Sequence, residues 1–126
     1  TTITVNDYQH GRIFDDALCY SFYPIDLHTK DGVVPKHLKR GVVPTIPRGS
    51  LIPKGSKNLM VAGRCLSSDR YANSAARVQA SCMGMGQAAA CTAVLAAKSS
   101  ITPKEVPLDD IYSLLREHGA IVPSKS

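Results

Sequence analysis

The sequence predicts a mixed α/β chain, or α+β if it stands as an isolated piece, and three observations carry that prediction. A short apolar run at 59–62 ends in Gly63-Arg64 and precedes an uncharged run of small residues from 78 to 97. Between 35 and 57, Pro35, Pro44, Pro47 and Pro53 alternate with Gly41, Gly49 and Gly55 around short apolar pieces, the pattern of brief strands joined by tight turns. From Pro107 to Gly119 a second helix carries complete start and stop signals. The 126 residues are 44% apolar and contain no Trp, so core volume has to come from aliphatic side chains and Ala.

In chain order, Thr2-Ile-Thr-Val5 reads as a strand by its β-branched content, and Asn6-Asp7 is placed to cap a short helical turn ending at Gly11. Residues 12–20 fit neither period. The stretch from Ser21 to Leu27 looks extended, with Pro24 confining it to an edge or bulge. Lys30-Asp31-Gly32 has turn chemistry. Residues 59–62 read as a buried strand, and 65–76 as a polar loop.

A long helix is expected from Ala76 or Val78 to Lys98, closed by Ser99-Ser100 and Pro103. It has no charge for about five turns and small or apolar groups all round, so it needs cover on nearly every side. A chain with only short strands and one further helix offers little cover, so the sequence reads as part of a longer protein. The final helix has Pro107 at its start, Asp109 and Asp110 in its first turn, and Arg116 and His118 in its last. Leu108, Ile111, Leu114 and Leu115 form its docking face.

Composition narrows the function classes. Net charge is +5, but the basic residues are scattered. The small cluster of Lys36, Lys39 and Arg40 beside His37 lacks interleaved aromatics, which favours a solvated loop over a nucleic-acid surface. Cys19, Cys65, Cys82 and Cys91 form no CxxC pair, so neither a disulfide framework nor a metal site is expected, and a reducing, cytoplasmic setting is the default. The run 78–97 has the length of a membrane span, but its Gln, Ser, Thr and Gly content and weakly hydrophobic Ala argue for a protein interior. Gly84-Met-Gly86-Gln-Ala-Ala89 matches the GxGxxG/A spacing, yet it lies inside a helix and not at a strand-to-helix turn. Its glycines are expected to serve close helix-to-sheet packing.

Several separated motifs occur in the order of a bacterial family of FAD-dependent oxidoreductases. The family pattern is roughly IPYRSLIPKGxxNLLVAGRxxS followed by RVxxxCMxxGQAAGxAAALA. In this chain it stands as Ile46-Pro-Arg-Gly-Ser-Leu-Ile-Pro-Lys-Gly55, Asn58-Leu-Met-Val-Ala-Gly-Arg64, Ser67, Arg77-Val78, Cys82-Met83 and Gly86-Gln-Ala-Ala-Ala-Cys-Thr-Ala-Val-Leu-Ala96. Tyr23-Pro-Ile-Asp-Leu-His28, and Thr2 to Val5 with Asp7-Tyr8 and Gly11-Arg12, fit the same family. The resemblance covers most of residues 1–100 and is to flavoproteins like fumarate reductase and succinate dehydrogenase.

That resemblance implies a C-terminal portion of a Rossmann-type FAD-binding domain (58–126) and part of a β-rich substrate domain (1–57). It implies FAD as cofactor, hydride transfer to or from a small-molecule substrate, and an N-terminal FAD-binding segment lying elsewhere in the parent. The isolated chain is then expected to be inactive, with the apolar helix open to homo-oligomer contacts. Cofactor contacts fall on Gly63, Arg64, Ser67, Arg77, Val78 and Gln79. Free N–H groups and the positive helix end at Val78 and Gln79 suit the negative charge of a reduced flavin. His28 and Arg77 are the implied substrate contacts. Arg77 has two open readings, stabilising flavin or an anionic substrate, or pairing with a carboxylate in a structural role; His28 is either a substrate contact or a surface histidine. Two departures stand out: Arg48 is displaced by one position from the family's IPYR, so no role transfers to it, and Ala90 replaces a Gly. No catalytic base is identified, because no histidine has a second polar partner in a motif. Two rival classes remain, a basic binding module and a helix-mediated interaction domain without catalysis.

Overall fold

The computed structural model describes residues 1–33 and 35–124. In order, the elements are α1 (Val5–Gln9), β1 (Ala17–Tyr20), β2 (His28–Thr29), β3 (Gly32–Val33), β4 (Thr45–Pro47), α2 (Arg70–Ala76), α3 (Gln79–Ser99) and α4 (Leu108–Glu117), with 3₁₀ turns at Arg48–Ser50 and Gly63–Cys65. This is the expected mixture of helix and strand, with antiparallel pairings. β1 pairs with β4 (Ala17 opposite Pro47, Cys19 opposite Ile46, Tyr20 opposite Thr45), with an irregularity between Ala17 and Cys19. A two-stranded ribbon is all edge, so Pro47 is tolerated in it. β2 and β3 form a small hairpin around the expected Lys30–Asp31 turn.

α3 is the organising element. Ser81, Met85, Ala88, Thr92 and Ala96 repeat every three or four residues and are buried, the spacing of one helix face. That face meets β1 on one side and α4 on the other. A Cβ added at Gly84 would lie 3.6 Å from Cys19 Cβ, so this glycine serves the expected close helix-to-sheet approach. Gly86 does not: nothing lies within 4 Å of its missing Cβ. Ile111 and Leu115 of α4 complete the core with Leu18, Ile46 and Leu51. Arg48 donates its guanidinium to the carbonyls of Pro103 and Val106, strapping β4 to the α3–α4 connection.

The opposite face of α3 is open. Met83 is 76% exposed and Val94 46%, with Ala90, Ala93 and Ala97 beside them. The expectation of incomplete cover is met, and the covered part is a single stripe. By length and composition alone α3 could cross a membrane, but here its inner stripe is core.

Three expectations are corrected. First, the β-branched start is not a strand. Ile3 makes one isolated parallel bridge to Ser68, while Thr4 caps α1 in a capping box with Asp7. The reciprocal cap, in which Thr4 Oγ1 accepts from Asp7 N–H and Asp7 accepts from Thr4 N–H, outweighs strand propensity and moves the cap two residues ahead of Asn6. Second, 65–76 is not all loop. Asp69 accepts from Ala72 N–H at 2.8 Å and starts α2, whose Ala72, Ala75 and Ala76 are buried. Its other oxygen accepts from Val5 N–H at 2.6 Å, so one carboxylate joins the starts of α1 and α2. Third, 59–62 is not a paired strand. Among the described residues its one backbone bond runs from Val61 N–H to the Leu51 carbonyl at 2.8 Å, and Leu59 is 53% exposed. A continuous apolar run suits a strand flanked on both sides, and no strand lies alongside it among the described residues.

Two measurements check this packing. Gly86→Ala is expected to stabilise the fold by about 0.5–1 kcal/mol, since it removes a helix-interior glycine in open space. Gly11→Ala is expected to destabilise it by about 1–2 kcal/mol, because Gly11 has φ +63° and its Cβ would meet Val42 Cγ1 at 2.7 Å. Urea unfolding of the two variants separates the signs. Burial against α3 pushes the Cys19 thiol from 9.0 up to about 12. Above pH 9 the unfolded chain loses this proton and the folded chain keeps it. Stability is therefore intact below pH 9 and falls as pH rises toward 12, by up to about 1.4 kcal/mol per pH unit. Cys19→Ala should lack this alkaline slope.

Candidate functional site

The α2–α3 junction is a break of one extended residue. α2 ends at Arg77 in helical geometry, and Val78, at φ −72° and ψ 156°, precedes α3 without any side-chain cap. The first bond of α3 runs from Cys82 N–H to the Val78 carbonyl. Among the described residues the N–H groups of Gln79, Ala80 and Ser81 therefore have no backbone acceptor. The first turn carries no acidic residue, and the Gln79 and Ala80 side chains are exposed. A 21-residue helix thus opens toward solvent with its positive end unsatisfied.

The Gly63–Cys65 turn sits against this opening. Gly63 has φ +76°, and a Cβ there would lie 3.5 Å from Cys82 Sγ. Cys82 in turn donates its thiol hydrogen to the Arg77 carbonyl at 3.2 Å. Gly63, Arg77, Val78 and Gln79 are thereby brought together. Arg64 is exposed, its carbonyl accepting from Asn73 Nδ2 at 3.4 Å. Ser67 lies apart. Its hydroxyl shares a 2.9 Å hydrogen bond with Thr2 Oγ1, and it lines a larger cleft of about 900 Å³ with Ser50, Lys54, Val61 and Cys65.

A smaller cleft of about 300 Å³ lies along α2. Leu27 and His28 line it together with Arg70, Asn73, Ser74 and Arg77. The last four follow the i, i+3, i+4, i+7 spacing of one helix face. Behind it stands Asp26, which was not among the expected contacts. Its Oδ1 lies 3.7 Å from Arg77 Nη2 and its Oδ2 lies 4.0 Å from His28 Nε2. Asp26 Oδ1 is buried and accepts no hydrogen bond among the described residues. His28 therefore has a polar partner two residues earlier, in the pleat-spaced pattern Asp-Leu-His. Arg70, Asn73 and Ser74 were missed because their helical spacing has no meaning in a segment read as loop. Of the other histidines, His10 Nδ1 bonds the Asn6 carbonyl and His118 ends α4. No cluster of three metal-binding side chains occurs among the described residues.

The chain thus has a fixed anion-favouring helix start and a cationic cleft, with Arg77 common to both. Compared with known proteins, residues 1–117 match a family described as FAD dependent oxidoreductase. No curated protein and no solved structure matches the chain.

Gly63→Ala tests the junction, because the backbone there is left-handed and a side chain is strained in that conformation. It should cost about 1–2 kcal/mol in urea unfolding and speed the reaction of Cys82 with a thiol reagent. Gly55→Ala, also at positive φ (+81°) but with nothing within 4 Å, should cost about the same backbone strain and leave Cys82 unchanged.

Proposed function

The chain belongs to the FAD-dependent oxidoreductase family, and on that premise we propose that its helix start at Val78 and Gln79, with Gly63, Arg64 and Arg77, supplies the flavin-ring side of the cofactor site. Such enzymes use FAD, which when bound takes or gives a hydride. The observation that carries the assignment is the uncapped start of α3. It has free N–H groups, no acidic residue in its first turn, and exposed side chains at Gln79 and Ala80. It thus offers donors and positive potential where the flavin ring gathers negative charge. Gly63 fits the same role, since its positive φ leaves the turn backbone uncovered by a side chain. Ser67, on the far cleft, fits a contact to a different part of the cofactor.

The His28–Arg77 cleft is the proposed substrate site, for a small anionic molecule. Arg70 and Arg77 would hold its negative group, Asn73 and Ser74 border it with polar side chains, and His28 stands at its rim to hold or accept a proton. The reading follows fumarate reductase-like flavoproteins of bacterial type, with 58–126 in a Rossmann-type FAD domain and 1–57 in the substrate domain. No glycine-rich turn joins a strand to a helix among the described residues. The adenine and pyrophosphate end of FAD thus needs a separate FAD-binding segment as partner, and the outer face of α3 is available to meet it. Free cysteines agree with a cytoplasmic setting.

A second reading is favoured by that same outer face. With Met83 and Val94 exposed, α3 is suited to pair with a second copy of the chain.

The purified chain is expected to be colourless, and a flavin spectrum retained through gel filtration would count against this division of the site. Titration with FMN, followed by amide NMR shifts, should move Gly63, Arg64, Val78, Gln79 and Ala80, with inorganic phosphate as the control for its phosphate group. Shifts confined to the exposed loop at Lys36 to Arg40 would overturn the assignment.

A further inference from the structure

We propose that Asp26 is the internal counter-ion of the substrate cleft, a positioning residue that holds Arg77 and His28 until an anion takes Arg77 over. The inference rests on the proposed reading of that cleft as an anion site.

The geometry is that of one carboxylate shared between two nitrogen groups. Asp26 gives one oxygen to Arg77 at 3.7 Å and the other to His28 at 4.0 Å. Both distances exceed the span of a hydrogen bond. The pairing is therefore Coulombic, with no hydrogen bond from Asp26 that an incoming anion would have to break. Oδ1 is buried without a hydrogen-bond donor, so Arg77 supplies the compensation for its charge. Asp26 itself does not line the cleft, whereas Arg70, Asn73, Ser74, Arg77 and His28 do. A ligand entering it meets the cationic groups directly and the carboxylate only through them.

Two consequences separate this role from simple structural support. A carboxylate behind Arg77 competes with any incoming anion for the same guanidinium, so it weakens binding while fixing where the guanidinium starts. A ligand must bring charge enough to displace it, which selects fully ionised groups over polar neutral ones. The charged and titratable groups around the site are His28 from β2, Arg70 and Arg77 from the two ends of α2, and Asp26 ahead of β2.

The test is sulfate titration of the whole chain at constant ionic strength, read by NMR on the arginine Nε–H groups and the His28 ring. Asp26→Asn and Asp26→Ala should both bind sulfate about eightfold more tightly, the effect expected of one unit charge about 6–7 Å from a divalent anion in a medium near water. Asp26→Glu should stay within about twofold of the native chain, and Arg77→Ala should weaken binding. Weaker or unchanged binding in the two neutral variants, with Arg77→Ala still weakening it, would overturn the counter-ion role and leave the cleft reading intact. Binding that ignores Arg77→Ala would overturn the cleft reading itself. A measurement on the native chain avoids dependence on variant folding. The Asp26 carboxyl ¹³C resonance should shift with sulfate at the same midpoint as Arg77 Nε–H, and a resonance that stays in place while Arg77 moves would sink the proposal.

Discussion

Burial of one small-residue stripe on α3 is the constraint on which the rest of the chain depends. Ser81, Met85, Ala88, Thr92 and Ala96 are all buried, and Gly84 lets the helix approach Cys19 of β1 closely. Burying large aliphatic side chains would supply more transfer energy per residue, but it would hold helix and ribbon further apart. The small stripe exchanges that energy for proximity. Dispersion contacts at short range and α4, which covers the next side with Ile111 and Leu115, make up the interface. Polar groups inside it are satisfied locally. Tyr8, Ser21 and Ser81 hydroxyls bond one another at 2.9 and 2.8 Å, and Thr92 returns its hydroxyl to the Ala88 carbonyl. The interface can thus contain hydroxyls without an unpaired buried donor.

That packing fixes where α3 begins, and the beginning is the candidate site. Since the inner stripe starts at Ser81, the residues before it must leave the helix and turn toward α2 within one residue, Val78. α2 is held from its other end by Asp69, whose two oxygens accept from Ala72 and Val5. Arg77 is therefore pinned between a capped helix and a packed one. The Gly63–Cys65 turn is held to the same place through Cys82. Backbone packing, with few side-chain contacts, brings these residues together.

This explains what was legible in the sequence. α3 and α4 were readable, the first by its uncharged length and the second by its Pro107 start, acidic first turn and Gly119 stop, since local patterns set both. The residues at the α3 start were implied by the resemblance to a flavoprotein family, and the structure does bring Gly63, Arg77, Val78 and Gln79 to one junction. The strand read at 59–62 needs neighbours on both sides, which no local pattern can supply, and among the described residues it has none. α2 was lost because its cap, Asp69, sits in a polar stretch where Ser67-Ser-Asp69 resembles any loop. With α2 lost, the shared face of Arg70, Asn73, Ser74 and Arg77 was invisible. Asp26 was passed over for another reason. Its pairing with Arg77 spans 51 positions and depends on where the segment ahead of β2 lies against α2, a tertiary relation that neither period nor spacing encodes.

The two positive features of the site differ in kind, and the difference bears on what each can do. The α3 start is a fixed set of N–H dipoles, independent of pH and unable to turn, worth roughly half a unit charge at its end. Such a group suits a rigid planar ligand whose charge always develops at the same atoms. Arg77 is a full charge on a flexible stem, partly offset by Asp26 and about one-third exposed, with its side chain 30% accessible. It suits a ligand that arrives and leaves. In the proposed reading, a single arginine at the junction couples a static surface that would face the cofactor to an exchangeable one that would face the substrate. Loss of its charge would disturb both, whereas loss of Asp26 would disturb only the second. The separation follows from contacts: Asp26 faces Arg77 and His28, which both line the cleft, whereas the open N–H groups begin after Val78.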